Sequence, residues 1–463
     1  MQKKLLGVAV AAALAAPTLA LAQSSVQVYG TVHMSLNRAS FSGDTAGTIN
    51  SDSKWGVTNH ASNWGLRSTE NLGGGLTAWF QAEFNMQMAR VNDVSSGENT
   101  ARNSGVGLRG GFGNVYYGTW ESPWTQTFRM WDVGTIGGWG PTTVIIGRGQ
   151  TSGMSPATTC TNTDSNGGGA APSTAAGLLP TTVVNGATVI GGGKSICGNS
   201  YVSGGGIAHT LWRRYSYAVF YESPIWSGVQ AKLAIQPNEN KTNFVNSGVT
   251  LSNGAGSVVG VNANPYSWSY SLSWTGMGGR ARAYWAQLFD HDWTSIGQTD
   301  NGWTIGGGYD FGPVNVGATY ERFTYKVGGA SLATGAAQTA AVAAAGDVTA
   351  TEWAIGVGIP VGPGHIGVSY AKANALSYAG TAPAANDTGA KQWNLGYEWT
   401  LSKRTALGFG VARISNGAQA TFAYTQQITS QNGALTGPGG GLGGNWPAGV
   451  SQTNLFVSMR HSF

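Results

Sequence analysis

Tyr266-Ser267-Trp268-Ser269-Tyr270-Ser271-Leu272-Ser273-Trp274 decides the fold. Serine occupies every second position, and aromatic residues or leucine fill the positions between. Side chains alternate across a β-strand, so this segment has one fully hydroxylated face and one apolar face with rings near both ends. Four serines on one face are unsuited to a protein core. An apolar face bounded by Trp and Tyr is the pattern of a strand that crosses a membrane, with the hydroxylated face toward a lumen.

The alternation recurs along the chain. In 26–37, Val26, Val28, Val32, Met34 and Leu36 share one face, with Gln27, Tyr29, Thr31, His33, Ser35 and Asn37 on the other. Segments 75–85, 300–311 and 392–401 repeat it, the last with Trp393, Leu395, Tyr397, Trp399 and Leu401 outward. The chain closes on Leu455, Val457 and Met459 alternating with Ser458, Arg460 and Ser462, and stops at Phe463, an aromatic terminus expected at a membrane interface. Between these segments, connections fall into two alternating classes. Seven are tight and carry Gly or Pro: 68–75, 110–113, 223–228, 275–279, 311–313, 360–363 and 400–404. Eight are long, at about 38–61, 91–100, 121–212, 237–264, 291–299, 326–348, 374–388 and 416–450. Fifteen connections join sixteen strands. The expectation is an all-β chain: a transmembrane antiparallel β-barrel of 16 strands, short periplasmic turns, long extracellular loops and a long third loop. A barrel of this size encloses water.

Composition agrees. The 463 residues include 73 Gly, 18 Trp and 17 Tyr, with only 10% charged. Met1-Gln2-Lys3-Lys4, the apolar run 5–16 and Ala20-Leu21-Ala22 read as a secretory signal peptide over 1–22, leaving one barrel domain over 23–463. No later apolar run is long enough for a spanning helix. Without Lys3 and Lys4 the 25 basic residues become 23 against 20 acidic ones, a net +3 too balanced to indicate nucleic acid. The only two cysteines, Cys160 and Cys197, share one Gly/Thr/Ser-rich stretch of an exported chain, and the expectation is a disulfide closing that loop.

Several ordered stretches then carry a resemblance: Val26-Gln27-Val28-Tyr29-Gly30, Trp64-Gly65-Leu66-Arg67-Ser68-Thr69-Glu70-Asn71-Leu72-Gly73, Gly107-Leu108-Arg109-Gly110-Gly111-Phe112-Gly113, Tyr221-Glu222-Ser223-Pro224, Leu401-Ser402-Lys403-Arg404-Thr405 and Arg460-His461-Ser462-Phe463. The chain resembles the general porins of Gram-negative bacteria, in particular the trimeric sixteen-stranded group of betaproteobacteria and neisseriae. The resemblance implies passive diffusion of small hydrophilic solutes and ions through a lumen narrowed by an inward third loop. It also implies a homotrimer in outer-membrane lipid, and a C-terminal Phe463 read by the barrel-assembly machinery. The third loop, residues 121–212, is about twice the usual length for that group, and is expected to fold partly into the pore.

A pore selects by its narrowest ring and the charges around it. Alternation places Arg67, Arg109, Arg214, Lys232 and Arg460 on the lumen side, and leaves Arg280 and Arg282 on either face. The resemblance supplies acids from the third loop opposite that wall, with Glu121 and Asp132 as candidates. A basic wall facing a few carboxylates gives a transverse field and a weak anion preference. Glu83, Glu222, Glu352 and Glu398 also face inward and are available to pair with the arginines. Trp120, Trp124, Phe128, Trp131 and Trp139 in the third loop either pack it against the wall or line a solute path, packing being favoured.

Other motifs dissolve in context. Gly107 to Gly113 joins two strands rather than a strand and a helix, Gly153-Met154-Ser155-Pro156-Ala157 carries a Pro after the Ser that spoils a nucleophile elbow, and Gly437 to Gly444 is low-complexity loop. The six histidines are scattered singly, so neither a metal site nor a catalytic triad is supported, and no cofactor is needed. The expected function is a non-enzymatic channel for small hydrophilic solutes and ions. The alternatives are a substrate-selective channel for carbohydrates or aromatic acids, and a surface interaction protein acting through its long loops.

Overall fold

A computed structural model describes residues 26–43, 53–86, 88, 102–147, 181–184, 187–190, 214–237, 266–291, 299–326, 347–379, 387–418, 420, 422, 424 and 449–463. The segment read as a signal peptide and the pair Cys160 and Cys197 lie outside the described residues.

The alternating segments form strands, and the strands pair in chain order. They are β1 Gln27–Ser42, β2 in two pieces at Ser53–Asn59 and Asn63–Gly73, β3 Leu76–Asn85, β4 Ser104–Gly110, β5 Gly113–Glu121, β6 Arg214–Glu222, β7 Val229–Gln236 and β8 Tyr266–Gly276. They continue with β9 Ala281–His291, β10 Thr299–Asp310, β11 Asn315–Tyr325, β12 Val348–Val361, β13 Gly364–Ala373, β14 Ala390–Thr400, β15 Thr405–Asn416 and β16 Ser451–Ser462. Both pieces of β2 pair with β1, and every later strand is antiparallel to its predecessor. β16 returns to β1 from Thr31↔Ser462 to Ser42↔Ser451, which closes sixteen strands into a barrel with no free edge. Phe463 seals the seam: its N–H donates to Gly30 O at 3.0 Å and its carbonyl accepts from Gly30 N at 3.2 Å.

The outer face is apolar and open to its surroundings. Leu272, Ile305, Leu395, Leu455, Val457 and Met459 are about half exposed, and Trp274, Trp285, Trp393 and Trp399 are exposed with them. This band is the lipid-facing surface of a transmembrane barrel. β1 runs to Ser42 and β2 starts at Ser53, so the first long loop is shorter than the 38–61 read from sequence. Arg38 and Ser40 read as loop because they are polar, but they sit in a strand.

Residues 122–147 of the third loop lie inside the barrel. Ser122 starts a short helix, α1 Pro123–Gln126, by accepting from Thr125 N at 3.2 Å, with Pro123 in the first turn. The chain then turns through 3-10 segments at Thr127–Met130 and Pro141–Thr143. Along the way Trp124 N donates to Ser269 Oγ of β8 at 3.2 Å, Asn394 Nδ2 of β14 donates to Gly134 O at 2.8 Å, and Gln392 Nε2 of β14 donates to Gly140 O at 2.6 Å. One short segment reaches the faces opposite the lipid band on strands from β8 to β16 only from within.

That segment creates a core in half of the lumen. Trp131, Ile136, Trp139, Val144, Ile145 and Ile146 pack against Ala354, Ala371, Ala373, Ala390, Ala412, Ile414 and Phe456 of the wall. Ala420, Phe422 and Tyr424, from the loop before β16, join the same cluster. The serine face of β8 therefore belongs to packing: Ser267, Ser269 and Ser271 are buried, and Ser269 both accepts from Trp124 N and donates to Gln287 O. A buried hydroxyl is tolerated when it is paired in this way.

Candidate functional site

The loop also rests on the inner faces of β3–β7, where Trp124 packs with Trp79, Tyr116, Tyr215, Phe220 and Ala234, and the inward charges of β1–β7 stand beside this contact. The charges there come as cross-strand neighbours. Glu222 on β6 sits opposite both Asn114 on β5 and Lys232 on β7. Lys232 Nζ pairs with Glu222 Oε1 at 3.1 Å and donates to Gln126 Oε1 of the loop at 2.5 Å, tying α1 to the wall. Tyr116 OH and Asn114 Nδ2 donate to the same carboxylate at 3.3 Å each.

A second group lies above it. A β-bulge between Gly118 and Trp120 shifts the register of β5 and brings Glu121 opposite Arg214. Glu121 Oε2 accepts from Arg129 at 2.9 Å and its Oε1 faces Arg214 at 3.4 Å. Arg214 Nε also donates to Asn103 Oδ1 at 2.8 Å. Arg102 donates through Nε to Glu83 Oε1 at 2.7 Å and through its guanidinium to Asn85 Oδ1 at 3.0 Å, while Tyr29 OH donates to Glu83 Oε2 at 3.1 Å. Arg102 is near enough to act electrostatically on both Glu121 and Arg214. Arg129 is half-exposed and its guanidinium lies over the Phe128 ring at 4.5 Å.

Toward the short-turn end, Arg67 Nε donates to Gln27 Oε1 at 2.9 Å and its guanidinium lies over Tyr29, while Arg109 lies over Trp79. Neither makes an ion pair among the described residues. Among the described residues, the inner side of β1–β7 with the loop residue Arg129 thus carries seven cations, Lys54 opposite Ala39 of β1 together with Arg67, Arg102, Arg109, Arg129, Arg214 and Lys232, against three acids, Glu83, Glu121 and Glu222, each already paired.

The seven residues singled out from sequence fall in three places. Arg67, Arg109, Arg214, Lys232 and Glu121 stand on this wall. Arg460 is on β16, directly opposite His33 of the adjoining β1, half-exposed and 2.9 Å from Glu398. Asp132 lies in the loop, where both carboxylate oxygens accept from Thr135 Oγ1 at 2.8 Å and Oδ2 also accepts from Thr142 Oγ1 at 3.2 Å. Burial pushes its carboxyl above the ordinary carboxylate range, against the pull of those hydroxyls. Of the two ambiguous arginines, Arg282 shares the inner face with Tyr284 and donates to Asn315 Oδ1 at 3.2 Å, whereas Arg280 lies exposed at a turn, donating to Asp310 O at 2.8 Å.

Sequence reasoning passed over Arg102 and Arg129. Arg102 precedes β4, where strand alternation has no purchase, and Arg129 is in the loop. Glu321 and Glu352 are cross-strand neighbours on the inner side, both buried, and Glu321 Oε1 accepts from Gly147 N at 2.5 Å where the inward segment ends. Two histidines read as solitary come together: His33 on β1 and His60 between the pieces of β2 lie 4.9 Å apart, and His60 packs edge-on to Trp139 at 5.4 Å. No cluster of three or more metal-type ligands exists among the described residues.

A family model described as Gram-negative porin matches residues 8–419. The chain is 28% identical to Outer membrane porin protein 32 of Delftia acidovorans over 471 residues, covering 100% of both. It is 34% identical to an outer membrane porin protein of Bordetella pertussis over 119 residues, 24% of this chain and 30% of that one. Among solved structures it is similar to an anion-selective porin from Comamonas acidovorans, with TM-score 0.59 and 21% identity over 95% of this chain and 100% of that one. The trimer form of OmpT from Vibrio cholerae matches with TM-score 0.51 and 11% identity over 95% of this chain and 99% of that one.

Proposed function

This chain belongs to the Gram-negative porin family and forms an outer-membrane channel, and we propose that small hydrophilic solutes and ions diffuse through it with a weak anion preference set by the β1–β7 wall. The observation that carries the preference is the excess of seven cations over three already-paired acids among the described residues of that wall. At about 6 Å in water a unit charge is worth about 0.7 kcal/mol, and physiological salt reduces that to roughly half. Because the cations are spread along the wall, an ion feels about one excess charge at a time, which favours anions about threefold. The Comamonas relative, described as anion-selective, supports the same sign.

We further propose that the channel works as a homotrimer, as the Vibrio OmpT structure is described, that the enlarged third loop 121–212 narrows the pore, and that Phe463 addresses the chain to the barrel-assembly machinery. The function requires no covalent step and no cofactor. The test is the zero-current potential of the purified protein in a planar bilayer under a salt gradient. Reversal on the anion side supports the proposal, and reversal on the cation side overturns the role given to the wall.

A further inference from the structure

Loop residues 130–138 advance around the barrel in the same order as the strands they touch, and the wall beneath them is glycine. A Cβ added at Gly308 on β10 would meet Met130 O at 3.0 Å, and one at Gly317 on β11 would overlap Trp131 O. At Gly356 and Gly358 on β12 it would meet Gly134 N and Val133 O, each at 3.0 Å. At Gly367 on β13 and Gly396 on β14 it would meet the Ile136 side chain at 2.5 and 2.9 Å, and at Gly408 on β15 it would meet Gly137 Cα at 3.0 Å.

These glycines lie in one row. Gly308 is opposite Gly317, and Gly317 is opposite Gly356. Gly358 is opposite Gly367, and Gly367 is opposite Gly396. Gly408 is opposite Ser458, at the end of the row. Residues directly opposite in an antiparallel sheet form a line across the strands, and the row follows such lines as a belt around six strands, stepping by two residues from Gly356 to Gly358 and again on β15, where Gly396 faces Gly410 and the loop rests on Gly408. Glycine weakens a strand interior, and its recurrence at such positions marks a place where another backbone comes close.

We propose that the glycine belt fixes how deeply the third loop is seated in the wall and so sets the width of the pore, the belt residues acting as positioning residues for solute size. A side chain in the belt stands behind the loop. The loop has one direction to yield, toward the open lumen and the cations of the β1–β7 wall.

The inference rests on the channel reading and is tested by single-channel conductance and by the size limit for neutral sugars in liposome swelling. The variants are Gly317→Ala, Gly367→Ala, the milder Gly356→Ala and Gly358→Ala, and Gly111→Ala, whose added Cβ meets nothing within 4 Å. Far-UV circular dichroism and heat-modifiable gel mobility confirm folding. The expected result is a fall in conductance of about 1.5-fold for Gly317→Ala with a smaller sugar limit, a lesser fall for Gly358→Ala, and wild-type behaviour for Gly111→Ala. If Gly317→Ala and Gly367→Ala fail to fold, the two mild variants decide. Unchanged or increased conductance in folded belt variants, with a conducting wild type, overturns the belt and leaves the channel. A wild type that does not conduct overturns both.

Discussion

The two halves of the barrel interior use opposite chemistry on the same backbone scaffold. The wall from β1 to β7 carries long polar side chains held by one another: Arg102 on Glu83, Arg214 on Glu121, Lys232 on Glu222. The wall from β8 to β16 carries Gly, Ala and Ser, and accepts a loop that buries Trp131 and Trp139 almost completely, while Trp124 of the same loop is buried where the halves meet, against Trp79, Tyr116, Tyr215 and Phe220 and against Leu288 and Phe323. The first half leaves its paired charged side chains partly solvated. The second buries its own surface under the chain. On the proposed function, the packed half backs the channel and the charged half gives it a sign.

The largest expected effect comes from breaking the packed half. Trp139 is fully buried, stacks on Phe456 at 5.5 Å and meets Tyr424 edge-on at 4.9 Å. Trp139→Ala is expected to cost about 3–5 kcal/mol of loop docking, in the range of large-to-small core changes. The sixteen-strand pairing does not depend on it. Channels of the variant should conduct more and with greater open-channel noise, while the far-UV spectrum stays that of the barrel. Quiet channels of wild-type size would mean that the loop is held without its aromatic core, and the distinction between the halves would fail.

The next effect belongs to the charged half. Replacing Arg102, Arg129 and Arg214 together with Gln leaves four cations and three acids among the described residues of the wall, and the zero-current potential should move most of the way to zero. Arg129→Gln alone should shift it part of the way, since Arg129 is half-exposed and shares Glu121 with Arg214. Conductance should change less than in Trp139→Ala. A triple variant that remains as anion-selective as the parent would remove the sign from this wall altogether.

Alternation made the barrel legible, because a strand between lipid and lumen must show a period of two whatever else it does. The segment 266–274 carried the whole architecture on that ground. Alternation also named Arg67, Arg109, Arg214 and Lys232, whose positions fall on the inner faces of β2, β4, β6 and β7. It was silent about what lies opposite a face. Ser269 reads as wetted by a lumen, yet it is buried under Trp124, since a hydroxyl satisfied by a backbone N–H is as stable there as in water. Gly317, Gly367 and Gly396 read as punctuation because glycine is the residue of turns, and only a cross-strand register turns them into a row. Arg102 and Arg129 lie where no period operates.

A smaller effect tests whether the packed half is also electrically silent. Burial raises the Asp132 carboxyl, so its protonated form is favoured in the docked loop. The sign follows: docking is firmest at pH below the ordinary carboxylate range and weakens as pH rises through the raised value. Open-channel noise should grow across that interval in the parent and stay flat in Asp132→Asn, whose amide keeps a carbonyl acceptor for Thr135 or Thr142. Equal pH dependence in both proteins would place the titration elsewhere.

The smallest effect sharpens the boundary between the halves. Arg460 has the charge of the basic wall but the address of the other one, on β16 and 2.9 Å from Glu398. Its side chain is 46% exposed, and an ion pair so solvated contributes about 0–1 kcal/mol. Arg460→Gln should leave thermal stability within about 1 kcal/mol of the parent. Its effect on the zero-current potential should be less than that of Arg129→Gln, because among the described residues Glu398 pairs with Arg460 alone at the seam between the halves, whereas Arg129 shares Glu121 with Arg214. If the two single variants shift the potential equally, local pairing does not decide which cations an ion meets, and selectivity belongs to the summed charge of the lumen rather than to one wall.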